Sequence, residues 1–239
     1  MTKGSTRSKP RPGAAVAALL GCMGALLSGT AAAADPTCPS APIPEIDVAV
    51  VVQEVSIDRS RTAAELAALG ANAAPDWLRG RGRLLGLTEH RIGLDFDGLT
   101  AITAPAEGGI CVGFRDGTLT LPVVARIRIA SEIPVGGCLD REAIAHERKH
   151  HRLGLELIHD HARNLERRLA AELMERPLAF AGTADPVAAA FDRLRAIFEP
   201  ERIRFDETYT REQLRLDTPS EYQRVLDACP GEQQRLLAP

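Results

Sequence analysis

The hydrophobic and polar positions divide the chain into a strand-like first part and a helical second part. From Leu139 to Glu175 there is no proline and one glycine, Gly154. Ile144, His151, Leu155, Ile158, Ala162, Leu165, Leu169 and Leu173 recur at helical spacing, which predicts one long helix with a single buried stripe. Pro177 and Gly182 end it. Pro186 suits the first turn of a second helix with the stripe Val187, Phe191, Leu194 and Phe198. A third helical piece runs from Ser220 to Ala228.

Upstream, Asp47 to Ile57 is β-branched and apolar and reads as a strand. Thr62-Ala63-Ala64-Glu65 is a capping box opening a short helix through Leu69. Gly70 to Gly86, with the only Trp at 77, reads as a surface loop. Further strands are expected at 90–103, 109–115 and 120–131, with Asp116-Gly117 as the hairpin turn between the last two. Ala125 to Ala130 alternates apolar and basic residues, as in a strand with one face in the core. Strands followed by helices predict an α+β fold: a small antiparallel sheet, a long helix and an antiparallel helical partner.

The N-terminus stands apart. Lys3, Arg7, Lys9 and Arg11 precede an Ala-, Leu- and Gly-rich run that ends in Ala32-Ala33-Ala34. Residues 1–34 therefore read as a signal peptide for export to the periplasm or medium, with lipidation at Cys22 the less favoured variant. Residues 35–46 carry four prolines and form an extended lead-in; 47–239 form one domain. Beyond the signal peptide no second run could span a membrane. The formal net charge of −3 becomes −7 once the four basic residues of the leader are removed, so nucleic acid is excluded as a partner. Four cysteines remain in an oxidising compartment, and two disulfides are expected, Cys111–Cys138 and Cys38–Cys229. Paired Cys spacings that would suit a thiolate zinc site are absent.

Five of the six histidines fall between 146 and 161, and His146-Glu147-Arg148-Lys149-His150 is an H-E-x-x-H. Residues four apart share a helix face, so both imidazoles can meet one ion, Zn2+ by preference. Glu147 is rotated by about 100° and can reach a water on that ion as a general base. A third ligand is required. His161 lies about 16 Å further along the axis at 1.5 Å per residue. If the two long helices form a hairpin turning near 177–185, positions 146–150 face roughly 205–216. That window and its end hold Asp206, Glu207, Glu212 and Asp217, of which Asp206 is ranked first and Glu207 second. His151 reads as a core histidine, and Tyr209 and Tyr222 as structural residues.

The segment Gly137-Cys138-Leu139-Asp140-Arg141-Glu142-Ala143-Ile144-Ala145-His146-Glu147-Arg148-Lys149-His150 resembles the active helix of zincin-type metallopeptidases. More narrowly it is similar to uncharacterised families of secreted bacterial proteins assigned as zinc-dependent proteases, in which a second helix carries a Phe/Tyr-Asp segment; Phe205-Asp206-Glu207-Thr208 corresponds to it. The resemblance implies peptide or protein substrates, hydrolysis by a zinc-bound water with Glu147 as base, and a strand near 123–131 bordering the cleft as an edge that holds extended peptide. Two other readings stay open. One is a non-catalytic envelope metal-binding protein recruiting His151, His159 and His161. The other is a helical interaction protein with an exposed apolar stripe on the long helix. Oligomeric state is left open.

Overall fold

The computed structural model describes residues 45–71, 75, 77, 84–103, 110–175, 179–180 and 185–237. All belong to one compact unit, Asp35–Pro239. The expected signal segment 1–34, most of the lead-in and Cys38 lie outside the described residues. The strands are β1 (Glu45–Val52), β2 (Ser56–Asp58), β3 (Gly86–Ile92), β4 (Asp95–Thr103), β5 (Ile110–Ile129) and β6 (Ala179–Phe180). The helices are α1 (Ala63–Leu69), α2 (Cys138–Glu175), α3 (Pro186–Leu216), α4 (Pro219–Asp227) and α5 (Pro230–Leu237). The fold is α+β. No described helix is long and apolar enough to cross a membrane.

The sheet is organised around one 20-residue strand, β5. β1 and β2 pair with it in parallel, while β3, β4 and β6 pair with it antiparallel. The expected antiparallel sheet is thus corrected to a mixed one. The registers place β1 and β2 end to end along one side of β5. β3 and β4 lie end to end along the other, since Val52 and Ile92 both face Val123. The expected strands 47–57 and 90–103 are each split in this way. The segment 123–129 is therefore the central strand, and β3 is the edge.

The expected hairpin at Asp116-Gly117 is also corrected, because β5 runs straight through it. Gly117 stands opposite Gly98 in the ladder, and the Phe96 ring lies across both: a Cβ on Gly98 would come 2.5 Å from the ring, and one on Gly117 2.8 Å. These glycines make room for an aromatic side chain on a sheet face. Further along β5, period-2 alternation holds as expected. Leu119, Leu121, Val123, Ala125, Ile127 and Ile129 are buried. Arg128 lies on the other face and joins the two flanking lanes by ion pairs to Asp58 and Glu89.

α2 packs on β1, β3 and β5, and α3 runs back along α2. α1 has the expected capping box at Thr62 and Glu65, and Asp185 caps α3 ahead of Pro186. Two apolar clusters form the core. One gathers Leu66, Ile127, Ile129, Leu139, Ala143 and Val225 at the start of α2. The other gathers Leu119, Leu165, Leu169, Leu194 and Ile197 towards its end. Between them α2 buries polar residues.

One disulfide joins Cys138 to Cys229 across 91 residues, with Cα atoms 5.8 Å apart. This replaces both expected pairs, Cys111–Cys138 and Cys38–Cys229. Without a hairpin, Cys111 is separated from the end of β5 by about 60 Å of extended strand at roughly 3.3 Å per residue. Cys138 is instead the first residue of α2, and its nearest neighbour is the α4–α5 junction. Glu232 of α5 accepts from the backbone N–H groups of Cys138 and Leu139, both at 2.9 Å, and so caps α2.

Candidate metal centre

His146, Glu147 and His150 lie on the buried side of α2, each less than a tenth exposed. This face holds Leu139, Ala143 and Gly154 as well, one step round from Ile144, His151 and Leu155 of the expected stripe, which are half-buried; from Ile158 through Ala162, Leu165 and Leu169 the expected stripe is the buried one. Opposite stands the end of α3. Asp217 is its C-terminal cap, and Thr218, the N-cap of α4, follows at once with Pro219 in the first turn of the next helix. The break set by Thr218-Pro219 leaves Asp217 at the corner, where its carboxylate turns in towards α2.

The two Nε2 atoms of His146 and His150 are 3.1 Å apart. Asp217 Oδ1 lies 3.3 Å from the first and 3.1 Å from the second. Three donor atoms thus form a nearly equilateral triangle. For a tetrahedral zinc with bonds of about 2.0–2.1 Å, neighbouring donors should be about 3.3 Å apart, so the residues present fit the ion. Among the described residues this is the one group of three or more such side chains that could hold a metal. Asp206, ranked first from the sequence, is elsewhere: it is exposed and paired with Arg202 at 2.7 Å. Glu212 pairs with Arg215, and neither it nor Glu207 belongs to the triangle. The turn facing His146 and His150 lies at the end of the 205–216 window, but Asp206 points outward from α3 while Asp217 points inward.

Both imidazoles are oriented from behind. His150 Nδ1 is 2.6 Å from Gln213 Oε1, and Gln213 Nε2 donates to the His150 carbonyl at 3.1 Å. His146 Nδ1 is 3.4 Å from Glu221 Oε1, which Lys149 and Arg224 also hold. Such partners set the tautomer that points Nε2 at an ion. Trp77 reaches the same corner. Its Nε1 donates to the Asp217 carbonyl at 3.3 Å, and its ring meets Tyr222 edge-on. Trp77, expected in a surface loop with a helical turn, is thus anchored at the corner that carries Asp217, while 72–74, 76 and 78–83 of that loop lie outside the described residues.

Burial opposes ionisation of Asp217, but hydrogen bonds from His146 and His150 outweigh it and hold its pKa down at about 2. Burial also works against a charged His150, yet Asp217 and Glu147 reverse the balance and raise its pKa. Glu147 is pushed upward by burial, against the pull of His150, His146 and Thr88. A buried carboxyl poised upward is suited to accepting and passing on a proton.

β3 supplies what sequence reasoning missed. Its inward face is Gly86, Thr88 and His90, and all three serve the site. A Cβ on Gly86 would lie 2.5 Å from Glu147 Oε1, so the carboxylate rests directly against the strand backbone. Thr88 Oγ1 donates to Glu147 Oε2 at 2.8 Å. His90 reaches across α2 at Gly154, where a Cβ would lie 2.5 Å from its ring. The signal was present as a period-2 trio ending in the sixth histidine, but it is readable only once β3 is placed against α2. A cleft of about 120 Å³ opens beside Glu147 and His150, with Leu84, Leu87, Tyr209 and Tyr222 among its walls.

The remaining histidines do not converge on the triangle. His151 contacts His90, and His161 stacks on Phe205 with centroids 4.6 Å apart. The large apolar side chains left exposed among the described residues include none from α2. No family model, curated protein or solved structure matches this chain.

Proposed function

We propose that the chain is an exported zinc-dependent hydrolase acting on peptide bonds. The observation that carries this reading is the triangle of His146, His150 and Asp217 donors at 3.1–3.3 Å, with the Glu147 carboxyl beside it. Zinc held there would bring the pKa of a bound water towards 7 and polarise a carbonyl. Glu147 takes the proton from the attacking water and passes it to the leaving amine nitrogen, so the C–N bond breaks as a neutral amine departs. Thr88 keeps the carboxylate turned to the cleft during both transfers. β3, whose outer side pairs with no other described strand, gives an extended peptide a ladder to join beside the site. This role falls to β3 and not to 123–129, which lies between two lanes.

The test is metal content together with cleavage of a peptide library. Wild type is expected to hold one zinc per chain and His150→Ala none. Glu147→Ala is expected to keep its zinc and lose roughly 10²–10⁴-fold in kcat, the range of general-base catalysis. Undiminished cleavage by Glu147→Ala would overturn the mechanism, and a wild type that takes up no zinc would overturn the function.

A further inference from the structure

Behind His150 the hydrogen bonds do not stop at Gln213. Tyr209 stands one helical turn before Gln213 on α3, both side chains line the cleft, and the Gln213 amide pulls the ionisation of the Tyr209 hydroxyl down against burial. That hydroxyl lies 2.6 Å from His90 Nδ1. His90 Nε2 lies 2.9 Å from His151 Nδ1, and the two rings stack with centroids 5.1 Å apart and planes 8° from parallel. The groups therefore form a ring, with hydrogen-bond contacts from His150 to Gln213, from Tyr209 to His90 and from His90 to His151, and with Tyr209 and Gln213 as neighbours on one face of α3. Tyr209, Gln213 and Asp217 are spaced four apart and share one face of α3. They lie opposite the turns of α2 that carry Gly154, His150 and His146.

The ring has a specific task available to it. A glutamine amide can present either its oxygen or its NH₂ group. If the NH₂ faced His150 Nδ1, that nitrogen would have to accept, and the proton would move to Nε2, where it blocks a metal. Gln213 is held with its oxygen towards Nδ1. Its Nε2 is tied to the His150 carbonyl, and Tyr209 is the neighbour of the amide one turn back on α3, in the same cleft wall. His90 then pins Tyr209. Burial keeps His90 neutral, with its pKa lowered to about 4 chiefly by desolvation, so it has one donor and one acceptor nitrogen for its two partners. Gly154 is what admits the His90 ring between β3 and α2.

We propose that His90 and Tyr209 are positioning residues of the metal centre, fixing the Gln213 amide so that His150 offers the Nε2 lone pair to the ion. The inference rests on the metal-binding part of the function above and not on hydrolysis. Outer partners of metal-bound imidazoles typically change affinity about 10–100-fold.

The experiment is calorimetric titration of zinc alone into the metal-free wild type, Tyr209→Phe, His90→Leu and His90→Gln. Circular dichroism checks folding, and cobalt absorption spectra report the ligand geometry. Tyr209→Phe and His90→Leu are expected to weaken zinc by about tenfold or more and to shift the cobalt bands. His90→Gln, which can still bond to Tyr209, is expected to recover most of the affinity. If His90→Leu fails to fold, the Tyr209→Phe titration decides by itself. Folded Tyr209→Phe with wild-type zinc affinity overturns the inference. Should that variant also lose cleavage, Tyr209 acts on the substrate instead. A wild type that binds no zinc overturns both this inference and the function, whereas zinc binding without peptide cleavage overturns the hydrolytic reading alone.

Discussion

Asp217 shows how much of a residue's chemistry comes from where its backbone ends. It is one acid among several on or beside α3, and most of the others are spent on ion pairs with arginines one helical turn away, at the surface for Asp192, Glu199 and Asp206. Such exposed pairs contribute little, typically below about 1 kcal/mol. Asp217 differs because the helix stops beneath it and turns its carboxylate inward. Replacing it with Asn keeps the shape and removes the charge. Asp217→Asn is expected to fold and to lose zinc affinity by at least the 10–100-fold typical of lesser changes around a metal. Zinc calorimetry on the purified variant checks this.

β3 is the element on which the site turns. Three inward positions, two residues apart, meet Glu147, then the α2 backbone, then Tyr209 and His151. Its histidine has a consequence for stability. His90 has a folded pKa near 4 against an ordinary 6.5, so the unfolded chain binds the extra proton. Its contribution is therefore fully present above pH 6.5 and is lost as pH falls from 6.5 towards 4, by on the order of 3 kcal/mol. Urea midpoints between pH 7.5 and 4.5 should fall for wild type, and less steeply for His90→Gln. β4 and β5 carry a second test. Valine is a good strand residue, yet Gly117→Val is expected to destabilise by about 1–3 kcal/mol, because its Cβ would meet the Phe96 ring at 2.8 Å. A thermal melt of that variant checks the claim. A Gly117 acting as a hairpin turn would give no such clash.

Across the whole molecule, the site is an assembly of distant segments held by few fastenings. α2 brings two imidazoles and Glu147, the α3–α4 corner brings Asp217, β3 brings Thr88, and α4 brings Glu221. The disulfide ties the far end of α4 to the first residue of α2, beside the Glu232 cap. A closed loop of 91 residues corresponds to roughly 4–5 kcal/mol in the chain-entropy account. Reduction, or Cys229→Ala, is expected to lower guanidinium stability by up to that amount and to weaken zinc binding in parallel. Denaturation curves and zinc titrations with and without reductant measure both.

The elements that depend on neighbours in sequence were legible. The period of α2, the capping box at Thr62, the Pro186 start of α3 and the alternation of 125–130 are local patterns, written by the 3.6- and 2-residue geometry of the backbone. His146, Glu147 and His150 share a face for the same local reason. Pairings between segments were not legible in this way. Asp116-Gly117 reads as a turn until Phe96 is seen lying across the glycines. Cys138 has three possible partners until β5 carries Cys111 to the far end of the sheet. Asp206 and Asp217 are equivalent as residue types, and only the corner after Leu216 turns one of them inward. The sequence by itself determined the helix that carries the paired histidines. Tertiary structure decided which acid completes the triangle, which strand holds Glu147, and what lies behind His150, because those choices depend on where separate segments meet in space.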